Sequence, residues 1–201
     1  MPSPIGHALA GIAVAWAADL VPGDRAWRRV PGTGTWYQRA GGDLTLLCAG
    51  LAAAPDLDLF YPGHHRSFSH GIAAVGCVGL VAAIIAANAK RPVMRVAIMC
   101  TAAYASHLLL DWLGADQHPP SGLQLLWPFS GRWFISGLDI FRQTEFKRFW
   151  TPGPIVTNVR AIVQELAILG PIAVALWLAR VKALAGLVPN VAPTSPRNTR
   201  N

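Results

Sequence analysis

The chain has 201 residues, of which 53% are hydrophobic and 13% charged. Charge at about half the roughly 25% usual for soluble domains excludes a disordered chain, a coiled coil or a charged nucleic-acid arm as the main theme. The formal charge of +7 reflects few acids, 10 Asp+Glu against 17 Lys+Arg. The bases are spread over loops between apolar runs, which suits membrane-flanking charge, and no nucleic-acid partner is expected. Cys48, Cys77 and Cys100 stand singly in apolar runs and are read as buried free thiols, not as a disulfide framework or a cysteine zinc site.

Ile5–Val21 is rich in Ala, Val and Leu and ends at the Pro22-Gly23 breaker. No Lys or Arg precedes it and His7 interrupts its start, so it reads as a retained helix, not a signal peptide. Residues 22–43 form a Gly- and Arg-rich loop with Arg25, Arg28, Arg29 and Arg39. Leu44–Ala54 is a short apolar helix stopped by Pro55, and a stretch dense in Asp and His follows as far as His70. Gly71–Ala89 is free of charge and alone meets a strict spanning length of about 20 residues. Lys90-Arg91-Pro92 ends it, and Val93–Leu113 is a further long apolar helix. Residues 114–160 are irregular and rich in Gly, Pro and Trp, and Asn158–Lys182 is the last helix, with Pro171 a candidate kink. The expected fold is an all-α helical bundle embedded in a membrane. Residues 1–188 form one domain and 189–201 a disordered tail.

Threading these helices up and down brings polar residues to one end. The helix after His70 leaves and Val93–Leu113 returns with His107 and Asp111; the first helix leaves from His7, and the next returns to Asp56 and Asp58. His64, His65 and Arg66 lie in the same stretch. His107 and Asp111 are four apart and share a helix face. Imidazoles and carboxylates are costly to bury beside apolar helices unless paired or metal-bound. A His/Asp donor set suits zinc first, then manganese or iron, as one ion or two. The metal-ligand candidates are therefore His7, Asp56, His70, His107 and Asp111. His118, in a Pro-flanked loop, is read as solvated.

The ordered motifs PSPIGHALAG, APDLD (54–58), HHRSFSHG (64–71), SHLLLDW (106–112) and LLWPFS (125–130) resemble the family of inner-membrane metal-dependent hydrolases, one branch of which is described as LexA-binding. Ser67, Ser69 and Gly71 depart from that family's Gly, Thr and Ser. A more distant likeness is to zinc-dependent phospholipase C and P1 nuclease, all-helical phosphodiesterases whose zinc ligands follow the same order. The final His and Glu of their three-metal cluster find no match here, which implies one or two ions.

The resemblance implies a multi-pass protein of the bacterial inner membrane that hydrolyses a phosphoester, on a small molecule or a lipid. A divalent metal would acidify water to a pKa of about 7. Arg66 would neutralise charge on a phosphoryl oxygen. Asp58 would serve as general base or hold a ligand histidine, and His65 completes the catalytic candidates. The distribution of bases places the site toward the non-cytoplasmic face. The alternative is a non-catalytic membrane protein with a structural metal site and a regulatory protein partner. Metal transport is disfavoured, because the candidate ligands sit at helix ends and not at mid-membrane depth.

Overall fold

The computed structural model describes residues 1–24, 26–28, 34–60, 65–146 and 150–185. The segment 189–201, expected to be disordered, lies outside the described residues, as does His64. Six α-helices form among the described residues: α1 (Pro4–Leu20), α2 (Trp36–Ala40), α3 (Gly42–Ala53), α4 (Ile72–Asn88), α5 (Val93–Leu113) and α6 (Pro152–Ala185). Short 3₁₀ turns cover Ala26–Arg28, Ala54–Phe60 and Phe68–His70. The described residues contain no strand, only isolated bridges from Gly114 to Phe141 and from Leu123 to Phe134. The all-helical expectation is met.

Local chemistry sets the boundaries. α1 starts where Ser3 caps the N–H of Gly6 and Pro4 supplies a preset φ. Thr35 and Gln38 form a reciprocal capping box on α2, a helix absent from the loop expected over 22–43. α5 keeps the bounds expected of it, whereas α6 begins six residues earlier than expected, at Pro152.

α1 is the central post, packed against α3, α5 and α6, with α4 laid against α5. Close approach of α1 and α3 depends on Gly11, where an added Cβ would lie 2.4 Å from the Cys48 carbonyl. Ala15, Cys48, Met99 and Ala103 fill the seam between α1, α3 and α5. Small side chains dominate this core, so helix backbones pack closely, as in membrane bundles. Cys48 and Cys100 are buried, but Cys77 is exposed on α4, contrary to expectation. Position 77 simply falls on the outward face.

That outward face is apolar. On α4 it carries Leu80, Val81, Ile84 and Ile85, and on α6 Val156, Val163, Val174 and Leu178. Water would penalise so continuous a surface, and acyl chains would not. α5, at 21 residues, and α6, at 34, are long and apolar enough to cross a bilayer. The 71–89 run, expected to be the one clear span, yields a helix of only 17 residues. Gly71 and Ala89 fall outside the helical turns, leaving about 26 Å at 1.5 Å per residue.

Candidate metal centre

Four segments deliver the donors. His7 lies one turn into α1, His107 and Asp111 sit one turn apart near the end of α5, and the 3₁₀ turns carry Asp56 and His70. All three imidazoles are completely buried, and Asp111 nearly so. The donor atoms fall into two overlapping triplets, His7/His107/Asp111 and Asp56/His70/His107, each with its atoms within 4.8 Å of one another. Nε2 of His107 lies 3.0 Å from Nε2 of His70, 3.2 Å from Oδ2 of Asp111 and 3.6 Å from Oδ1 of Asp56. Oδ2 of Asp111 is 3.4 Å from Nε2 of His70, and its Oδ1 is 3.3 Å from Nε2 of His7. The His7 ring stacks on His107 with 3.7 Å between centroids.

These separations test whether a cation fits. Donors at about 2.0–2.2 Å from a tetrahedral ion stand roughly 3.4 Å apart, and the observed edges bracket that value. Both ring nitrogens of His7 and both carboxylate oxygens of Asp111 are buried without a hydrogen-bond partner. Orphaned atoms of this kind are rare in a finished core. The residues fit a divalent cation of nitrogen and oxygen preference.

The surrounding bonds aim the rings. His107 donates through Nδ1 to the Ala52 carbonyl at 2.7 Å, so its Nε2 presents a lone pair. Asp58 stands behind His70, with Oδ2 at 3.2 Å from Nδ1, and accepts from the Ser69 hydroxyl and the Arg66 backbone N–H. Its other oxygen meets Nδ1 of His65 at 2.6 Å. Both oxygens are thus occupied in holding other groups. Burial alone would raise the Asp58 carboxyl, but hydrogen bonds from His65 and His70, the His70 charge and the Ser69 hydroxyl outweigh it and hold it well below the usual range. Burial alone would lower His70, but the neighbouring carboxylates of Asp111 and Asp58 outweigh it and push it up to about 9.

Arg66 borders the cage. Its backbone adopts φ of 66°, a left-handed conformation costly for a side chain of this size. Its guanidinium is buried, bonded to Asp116 and the His118 carbonyl and stacked 5.7 Å over Trp133, and its Nε has no partner. Ser67, where the family pattern has Gly, keeps a negative φ of −106°. Beside Arg66 opens a cavity of about 850 Å³, lined by Asp56, His65 and Arg66 and by the apolar Ile5, Leu59 and Ile162.

The structure therefore brings His7, Asp56, His70, His107 and Asp111 to one centre and puts Asp58, His65 and Arg66 at its margin. Sequence reasoning missed four participants. Asp116 holds Arg66; Ser69 links Asp58 and His70; His118 lines the cavity instead of standing in solvent. Glu165, fully buried on α6, accepts from the Ser3 N–H and hydroxyl and so fixes the turn that carries His7. A solitary carboxylate in an apolar helix was the available signal for Glu165.

A helical bundle with apolar outward faces, two helices long enough to cross a bilayer and a His/Asp cage at one end has the make-up of a membrane protein with a candidate metal site. The chain belongs to the YdjM inner membrane protein family, matched over residues 1–185. It is thus a protein of the inner membrane. No curated protein and no solved structure matched the chain.

Proposed function

We propose that the protein is a multi-pass inner-membrane hydrolase that uses a divalent cation, zinc first, to cleave a phosphoester. The observation that carries this reading is the convergence of five His and Asp side chains, four of them buried, among which the His7 nitrogens and the Asp111 oxygens have no hydrogen-bond partner. His7, His107 and Asp111, with Asp56 and His70, would hold the cation. Such an ion supplies Lewis acidity and a water acidified to a pKa of about 7. The protein's own groups do the rest. Arg66, locked by Asp116, binds a phosphoryl oxygen and offsets its developing charge. His65, held through Nδ1 by Asp58, keeps Nε2 for a proton at the cavity edge. Asp58 acts through both histidines and is a positioning residue, since its oxygens are already engaged.

Full burial of the imidazoles also suits a closed structural site serving a protein partner. The cavity that reaches Asp56 favours catalysis. The test is purification in detergent, metal analysis by emission spectroscopy and assay against a panel of phosphodiesters. Wild type should carry metal and turn over at least one ester, and the double variant His70→Ala/His107→Ala should lose both while keeping its helical circular dichroism. Metal content unchanged in that variant would refute the ligand assignment. Metal without turnover would leave the structural site standing. The distribution of Arg39, Lys90, Arg91 and Lys182 at the far end supports a site facing away from the cytoplasm.

A further inference from the structure

We infer that the cavity beside the cage seats a membrane amphiphile bearing a phosphate, with its head at Arg66 and His65 and its chain along Ile5, Leu59 and Ile162. This rests on the hydrolase reading for what happens to the head, but the seat itself is argued from the cavity.

The cavity lining is mixed. Asp56, His65 and Arg66 contribute polar groups, and Ile5, Leu59, Phe146 and Ile162 contribute apolar surface. Arg66 lines the cavity, is 7% exposed and is held by Asp116 and Trp133, and its Nε is buried without a hydrogen-bond partner. A buried cation with a spare donor is a seat for an anion, and a planar guanidinium suits phosphate. A small water-soluble ester would satisfy that seat and leave the apolar lining wet. At about 850 Å³ the space lies in the upper part of the range for drug-sized ligands, roughly 300–1,000 Å³. Each methylene buried against such a lining strengthens binding about four-fold.

The cavity also lies where a lipid can reach it. It is bounded by the first turn of α1 and the early turns of α6. Ile5 is half exposed, and Ile155 and Val159 flank Asn158 and Ile162 on the same helix and face outward. Phe60, Phe68, Trp127, Phe129 and Trp150 stand exposed at this end of the bundle. Aromatic rings of this kind gather at the boundary between headgroups and acyl chains. The cavity would thus meet the lipid near headgroup depth.

The full chain is placed in vesicles of phosphatidylethanolamine and phosphatidylglycerol, the latter carrying a photoactivatable diazirine in its acyl chain, and crosslinks are mapped by mass spectrometry. Leu59, Phe146 and Ile162 should be labelled. Dodecyl phosphate should suppress that labelling at concentrations at least ten-fold lower than dodecanol, and inorganic phosphate alone should not suppress it. The Arg66→Gln variant should lose the preference for dodecyl phosphate over dodecanol. Labelling confined to the outward residues Val156, Val163 and Leu80 would overturn the seat. So would equal competition by dodecanol in wild type, or displacement by inorganic phosphate alone. Metal content measured on the same sample separates the two readings. Labelled protein without metal defeats the hydrolase reading alone, and metal-loaded protein without cavity labelling defeats the lipid seat alone.

Discussion

Two buried clusters of charged side chains lie at opposite ends of α1, and they are finished to different degrees. At the far end Asp19 accepts from Nε and Nη2 of Arg28 at 3.0 and 2.9 Å and from Nε of Arg180 at 2.6 Å. The same guanidinium groups donate to Thr45 and to the carbonyls of Gly41 and Arg39. At the near end, His7 and Asp111 keep ring nitrogens and oxygens with no hydrogen bond. The two ends bury similar chemistry, but one is closed on itself and ties α1 to α6, while the other is held open for something else. A charge cluster that serves the fold satisfies its own donors; one that serves a ligand does not.

Removing the anchor of the closed cluster should have the largest effect on stability. Asp19→Ala leaves two buried guanidinium groups without their carboxylate, and a loss of about 3–5 kcal/mol is expected. It would be seen as a fall in melting temperature in detergent, with metal per folded molecule unchanged; a wild-type melting temperature would break the comparison. Next comes Asp58→Asn, which keeps the shape and removes the charge behind His70 and His65. It should weaken metal affinity about 10–100-fold in a competitive chelator titration. Unchanged affinity would deny Asp58 its positioning role. The smallest effect is expected from His7→Phe, which replaces two unpartnered nitrogens by carbon in a ring of similar size. The metal-free protein should hold its stability or gain about 1 kcal/mol, while bound metal falls. A clear destabilisation of the metal-free form would mean that His7 is a packing residue after all.

Much of the site was legible because it depends on topology and local spacing. His107 and Asp111 share a face by four-residue spacing, and their meeting with His70, Asp56 and His7 follows from antiparallel helices alone. The rest depends on segments without periodicity. Asp116 and His118 reach Arg66 through the irregular run after α5, whose path no pattern of apolar residues encodes. Arg28 and Arg180 read as membrane flanks, yet both are buried on Asp19, since a loop arginine has the same sequence signature in either setting. The Thr35–Gln38 box was written in the chain and overlooked, its helix being too short to show an apolar face.

The bond from His107 to the Ala52 carbonyl has a consequence for stoichiometry. With Nδ1 committed to that carbonyl, a single nitrogen of this ring is left to serve both triplets, which share it. One lone pair binds one ion, so under the proposed reading the triplets compete. A first equivalent of zinc should saturate the tight site, and any second ion would have to bind without His107, held by one imidazole and one carboxylate and coming away first under a chelator.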